Sequence, residues 1–272
     1  MTTSSPSSRI DYTFIDLDGT LRLPPGEFLE GYLHHVHVPV FAEFVERSKR
    51  GEIRMGLCTG RELPYVEGFG EPWGHWDIVE GGVLTCNRTT GVRYYHPAIT
   101  PEGRQLFQLL SREVFPRILS NIPDLYLYQG GKEINIAIQS IRRNVPIQSY
   151  VPEVERRLDE YSQQAGGLLE KLEEKIESDY SNLALDYRIS GVNKGTAFER
   201  FCEREEIDRQ RVLSIIDSRG DFSIAEKAGY AACPLNASPE CKEFVHSRGE
   251  RGHVSDYPFM EGVIDSLRYF QI

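Results

Sequence analysis

Tyr12-Thr13-Phe14-Ile15-Asp16-Leu17-Asp18-Gly19-Thr20 is the stretch that decides the fold. An apolar run, Tyr12 to Ile15, ends in two carboxylates one residue apart, and a Gly-Thr turn follows. On a strand, positions i and i+2 point to the same side, so Asp16 and Asp18 leave the strand end together. Packing supplies little reason for paired acids at such a place. The pair suits holding a divalent cation, or dividing work between a nucleophile and an acid/base.

Pieces that such a site needs recur far along the chain. Thr59-Gly60-Arg61 follows the short apolar run Ile53 to Cys58. Lys194-Gly195-Thr196 follows a Gly-containing turn and opens a helical pattern. Asp217-Ser218-Arg219-Gly220-Asp221 follows Val212 to Ile216, an apolar run without alternation. Runs of that kind read as strands buried on both faces, as in a parallel sheet. Ligands of open parallel sheets collect at the carboxyl ends of strands, and three of the four pieces sit there. Each alone has a plain structural reading: a turn for Asp-x-Asp-Gly, a loop for Thr-Gly, a solvated lysine, a helix cap for the late acids. All four coinciding by chance is the less economical account.

With these residues in view, the chain resembles the haloacid dehalogenase-like superfamily of phosphotransferases. The superfamily's four motifs stand in order: Asp16-Leu17-Asp18-Gly19-Thr20, Thr59-Gly60-Arg61, Lys194, and Asp217 with Asp221. Glu80-Gly81-Gly82-Val83 is similar to the Glu-Asn-Gly-Ala turn of the sugar-phosphatase branch, and Gly262-Val263 to its final Gly-Val. The chain departs from that branch at Gly81, where Asn is usual, and at Ile216, where Gly commonly stands.

The resemblance implies roles. Asp16 is the nucleophile that forms an aspartyl-phosphate, and Asp18 is the acid/base. Thr59 and Gly60 bind phosphate, with Leu17, Arg61, Glu80, Gly81 and Gly82 as further phosphate or substrate contacts. Lys194 places positive charge at the phosphate. Mg²⁺ is the implied cofactor, held by Asp16, the Asp18 carbonyl, Asp217 and Asp221. The implied substrate is a small phosphorylated metabolite, a sugar phosphate or related phospho-acid. A phosphomannomutase-like phosphomutase and a non-catalytic metabolite-binding protein on the same fold stand as alternatives.

The expected fold class is α/β: a doubly wound, mostly parallel Rossmann-like core sheet with an inserted α+β cap domain. The interval from Thr59 to Lys194 is about three times that from Asp16 to Thr59, far more than one helical crossover uses. It carries its own helices, over Thr100–Leu119 and Pro152–Ser178, and antiparallel-looking strands near 125–128, 133–141 and 183–189. Residues 9–85 and 187–272 are therefore assigned to the core and 86–186 to the cap, after a disordered tail at 1–8. The family's sugar-phosphatase branch places its cap in the same interval, where it selects the substrate and closes to exclude water.

Composition narrows the partners. The 272 residues suffice for a sizeable core, and the formal charge of −10 argues against duplex nucleic acid. Five cysteines with no Cys-x-x-Cys read as scattered reduced thiols of a cytoplasmic protein, and Cys58 as a packed core thiol. No signal-peptide pattern and no apolar run near the ~20 residues of a membrane helix is present. His34, His35 and His37 read as part of a structural loop, and Trp73 and Trp76 as loop anchors. Arg142 and Arg143 are open between contacting a second anionic group and a solvated pair. Oligomeric state is not legible.

Overall fold

The computed structural model describes residues 10–22, 34–68, 75–128, 131–142, 144–165, 176–180 and 184–272. The expected tail 1–8, Trp73 and Arg143 lie outside them, as do the side chains of residues 34–38. In chain order the strands are β1 (Tyr12–Ile15), β2 (Met55–Leu57), β3 (Trp76–Val79), β4 (Leu84–Asn87), β5 (Arg93–Tyr95), β6 (Leu125–Tyr128), β7 (Ile136–Ser140), β8 (Ile176–Tyr180), β9 (Ala184–Ile189), β10 (Val212–Ile215), β11 (Tyr230–Cys233) and β12 (Gly252–Val254). The helices are α1 (His34–Lys49), α2 (Leu63–Gly68), α3 (Pro101–Leu109), α4 (Phe115–Leu119), α5 (Val151–Gln164), α6 (Lys194–Arg204), α7 (Phe222–Ala225), α8 (Pro239–Ser247) and α9 (Phe259–Tyr269). None is long and apolar enough to cross a membrane.

Contacts divide the chain into two units. The first comprises 1–60, 69–94 and 193–272; the second comprises 61–68 and 95–192. In the first, five parallel strands form a sheet in the order β12-β11-β10-β1-β2. From β1 the chain moves to β2 on one side and later returns to β10 on the other. The switch of direction therefore falls between β1 and β10, where open α/β sheets place their ligands. Both strands are fully buried, Thr13 and Ser214 included, as strands covered on both faces of a parallel sheet are.

Aromatic packing fixes α6 against β1. Phe198 and Phe201 meet the Phe14 ring edge-on, with centroids 6.0 and 5.1 Å apart. Burying each such ring stabilises by about 1.5–3 kcal/mol. Tyr12 lies in the same cluster; its hydroxyl donates to the Trp76 carbonyl at 2.7 Å and accepts from the Trp76 N–H at 2.9 Å. β3 is thereby tied to the parallel sheet, and it continues into the small sheet β3-β4-β5. Trp76 thus sits on a strand.

The second unit carries an antiparallel sheet in the order β6-β7-β9-β8. Thr100 caps α3 by accepting the Gly103 N–H at 3.1 Å. A widened π-type turn, Leu110–Val114, joins α3 to α4, so the expected helix to Leu119 is nearly continuous.

Several expectations are corrected. Residues 61–68 pack with the second unit although the core was expected to run unbroken to 85. That unit begins again at Tyr95 and ends at Val192, later than the expected 86 and 186. Residues 176–178, expected in a helix, form part of β8, because Ile176 to Tyr180 pair antiparallel with β9 and complete its edge. His34, His35 and His37 belong to the backbone of α1 and not to a loop, and Pro39 lies within that helix.

Candidate active site

Asp16 follows β1, and its N–H donates to the Ile215 carbonyl of β10 at 3.0 Å. This places it beside the end of β10, two residues short of Asp217. Gly19 makes the approach possible. Its φ of +85° lies in the left-handed region, and a Cβ there would fall 2.2 Å from Asp217 Oδ2. Glycine alone meets both demands. Asn236 fixes the same turn: its side-chain amide donates to the Gly19 carbonyl at 2.6 Å and accepts the Phe259 N–H at 2.7 Å.

Lys194 opens α6. Asn193 caps that helix, accepting the Thr196 N–H at 2.9 Å while Thr196 Oγ1 accepts the Asn193 N–H at 3.1 Å. Gly195 lets the turn press onto α7, where a Cβ would meet the Ser223 carbonyl at 2.1 Å. The Lys-Gly-Thr sequence is thus a cap, a close approach and a cation in one turn. Lys194 Nζ donates to Asp16 Oδ1 at 2.7 Å and to Asp221 Oδ1.

Asp16, Asp217 and Asp221 each offer an oxygen within 4.8 Å of the others. Burial, then Asp221, pushes Asp16 up to about 7, against the pull of Lys194. Burial and the two neighbouring acids push Asp217 well above the carboxylate range. For Lys194, burial opposes the charged form, but Asp16 and Asp221 outweigh it and hold the ammonium firmly protonated. Three acids facing one cation leave an excess of negative charge in a buried place, and the donor set is all hard oxygen. Those residues fit a divalent cation such as Mg²⁺.

The other expected residues fall as follows. The Asp18 carboxylate is not among the three that meet; it pairs with Arg22 Nε at 3.1 Å. The Leu17 side chain is wholly buried, and its carbonyl accepts the N–H groups of Leu21 and Arg22 at 3.0 Å each. Thr59 follows β2, buried, with its N–H on the Ile78 carbonyl at 2.9 Å. Gly60 is exposed, with open space where a Cβ would stand. Arg61 belongs to the second unit, where its guanidinium lies 4.6 Å from the Tyr65 ring centroid and 5.9 Å from that of Tyr128.

Glu80, Gly81 and Gly82 make a turn with three successive positive φ values, 51°, 66° and 107°. It braces the site from below: the Gly81 N–H donates to the Thr59 carbonyl at 3.0 Å, and Gly82 abuts the Asn193 carbonyl. Cys58 is buried, and burial pushes its thiol up, away from nucleophilic use. Gly262 lets α9 approach Tyr257 and Pro234 closely. Asn193, Asn236 and Arg22 escaped the sequence reading. Only Asn193 carried a signal, its capping-box spacing to Thr196.

Comparison with known proteins gives the family. The family described as haloacid dehalogenase-like hydrolase matches residues 13–248. A phosphoglycolate phosphatase of Methanopyrus kandleri is 27% identical over 93% of this chain and 94% of its own length. Another, from Methanothrix thermoacetophila, is 31% identical over 38% of this chain, a stretch that spans 46% of that relative. A third, from Methanothermobacter thermautotrophicus, is matched over 38% of its length at 33% identity. The chain therefore spans less than half of those last two relatives in the matched regions. Among solved structures, the sucrose-phosphatase of Synechocystis sp. PCC6803 superposes with a TM-score of 0.65 at 15% identity, covering 97% of this chain and 98% of its own. Thermoplasma acidophilum 0175 gives 0.64 at 16% identity, covering 97% and 99%. These likenesses show the α/β fold. The family match over most of its length, with the motifs in order, makes this chain a member of the haloacid dehalogenase-like hydrolases.

Proposed function

We propose that the chain is a Mg²⁺-dependent phosphatase that hydrolyses a small phosphorylated metabolite, a sugar phosphate or phospho-acid, through an aspartyl-phosphate. The observation that carries this reading is the shared ammonium of Lys194, set between Asp16 and Asp221 with Asp217 alongside. A carboxylate must approach a phosphate that repels it, and buried positive charge is what that approach requires. The phosphoglycolate phosphatase names of the relatives favour a phospho-acid within the class.

Each residue then has a task. An Asp16 oxygen attacks phosphorus while the ester P–O bond breaks, and the leaving alkoxide takes the proton of the Asp18 carboxylic acid. Water next attacks the acyl-phosphate and gives its proton to Asp18. The bond from phosphorus to Asp16 breaks, releasing phosphate and restoring both acids. Lys194 favours the ionised form of Asp16 and balances phosphate charge; Thr59 and Gly60 supply a hydroxyl and an N–H to its oxygens. Asp16, the Asp18 carbonyl, Asp217 and Asp221 would hold Mg²⁺, which neutralises phosphate charge when bound. Substrate choice is assigned to the second unit as a cap.

The test is phosphate release from a panel of sugar phosphates and phospho-acids, with and without Mg²⁺, beside Asp16→Asn. Metal-dependent release that disappears in the variant is expected. Equal rates in variant and wild type remove Asp16 as nucleophile.

A further inference from the structure

Residues 17–22 close on themselves through the backbone alone. The Leu21 and Arg22 N–H groups donate to the Leu17 carbonyl at 3.0 Å each, and the Gly19 N–H donates to the Arg22 carbonyl at 2.8 Å. The loop therefore does not need the Arg22 side chain to hold its shape. Yet that side chain turns back across the loop, and its Nε donates to Asp18 Oδ1 at 3.1 Å. Both side chains are about four-fifths shielded from solvent, which limits screening of the pair.

We infer that Arg22 is a positioning residue that fixes the Asp18 carboxyl group for proton transfer. The inference rests on the phosphatase reading, in which Asp18 serves the leaving group and then the attacking water. A short side chain on a loop has two rotatable bonds, and a proton-transfer group misplaced by an ångström loses much of its effect. Contact with the fixed Nε–H of Arg22 restricts both bonds. The Gly19 carbonyl is held independently by Asn236, so the loop carries one anchor for its backbone and one for its acid. Arginine suits the second task because its Nε–H is fixed in the guanidinium plane, so the contact carries direction as well as charge.

The role has a signature that a merely structural arginine lacks. Help from Asp18 matters most where the leaving alkoxide is a poor one and little where the leaving group departs without a proton. The experiment compares kcat/KM, which reports the leaving-group step and not the hydrolysis of the shared aspartyl-phosphate, for an alkyl phosphate and for 2,4-dinitrophenyl phosphate, in wild type, Arg22→Ala, Arg22→Lys and Asp18→Asn. Melting temperatures are taken in parallel. Arg22→Ala is expected to lose about ten- to a hundredfold on the alkyl ester, a share of what a general acid contributes, and under about threefold on the dinitrophenyl ester. Asp18→Asn is expected to show the same asymmetry, more strongly. Arg22→Lys, which keeps the charge but not the fixed Nε–H, should fall between. Millimolar methylguanidinium should restore part of the alkyl-ester rate of Arg22→Ala. Equal losses on the two esters, or no loss on the alkyl ester, overturn the inference while leaving the phosphatase reading intact. A wild-type chain that releases phosphate from neither ester nor any member of the sugar-phosphate and phospho-acid panel overturns that reading and this inference together.

Discussion

Lys194 and Asp16 are 178 positions apart in the chain, yet Nζ and Oδ1 lie 2.7 Å apart, and the same ammonium also serves Asp221. A buried charge shared in this way cannot be deleted without consequence. Removing one partner of a buried pair costs about 3–5 kcal/mol, because the remaining charge stays out of water. Lys194→Met should therefore unfold at lower denaturant concentration than wild type. Its kcat should fall by about 10²–10³, the usual effect of removing one charge-stabilising donor. Saturating Mg²⁺ should recover part of the stability but little of the rate. Denaturant titration and steady-state kinetics on the same preparations read all three.

Gly19 meets Asp217 at a point where no side chain fits. Gly19→Ala puts a Cβ 2.2 Å from Asp217 Oδ2 at a backbone φ of +85°. The backbone penalty alone is about 1–2 kcal/mol. The carboxylate must also shift, and the proposed metal set would shift with it. Calorimetric titration should show Mg²⁺ binding weakened by about ten- to a hundredfold, the usual cost of disturbing how a ligand is oriented. Unchanged Mg²⁺ affinity in a folded Gly19→Ala protein would remove Asp217 from the metal set.

Titration of the acid triad predicts an unusual pH profile for the metal-free protein. Asp16 is raised from 3.8 to about 7, and Asp217 is raised in the same direction. Between those values the folded chain holds protons that the unfolded chain has released. Folded stability is then greatest below about pH 4, as far as these groups are concerned, and declines as pH rises toward 7. Thermal melting without metal should accordingly show a falling midpoint from pH 5 to pH 8. Added Mg²⁺ should shift the midpoint more at pH 8 than at pH 5, since its ligands must shed protons to bind it. Asp217→Asn should flatten the metal-free profile and reduce the Mg²⁺-induced shift.

Much of this site was legible in the chain because its groups sit at the ends of short apolar runs. Val212 to Ile216 has no polar alternation, so burial on both faces and a parallel sheet follow, and Asp217 must emerge at the carboxyl end. Asp16 obeys the same logic. Lys194 was legible as a helix opening, though its partners were not. Direct contact between the ammonium and both acids depends on Gly195 pressing α6 onto Ser223, a packing event with no local signature. Arg22 and Asn236 were missed for a related reason: each acts on a turn through a hydrogen bond that no periodicity announces. The error at 176–178 has another origin. A charged, Leu-rich stretch satisfies a helical pattern on composition, but the open edge of β9 pairs those residues as a strand.

Asp77 and Arg88 provide a stability prediction separate from the chemistry. Their side chains are 3% and 5% exposed, with Arg88 Nε on Asp77 Oδ2 at 2.7 Å. Asp77 Oδ1 accepts the Leu57 N–H at 2.6 Å, which ties β2 to β3. Burial raises the Asp77 carboxyl, while Arg88 and that N–H work to keep it charged. Asp77→Ala leaves a guanidinium in the core and an N–H without its acceptor. A loss of about 3–5 kcal/mol is expected, visible as a large drop in the denaturation midpoint. Changing both members, Asp77→Leu with Arg88→Met, removes both charges of the pair. That double variant should be markedly more stable than Asp77→Ala alone, and kcat well below its melting temperature should match wild type. The sign of the comparison separates a pair that costs little to replace from one the sheet cannot do without. A double variant as unstable as the single one would show that the Leu57 hydrogen bond, and not the ion pair, holds β2 against β3.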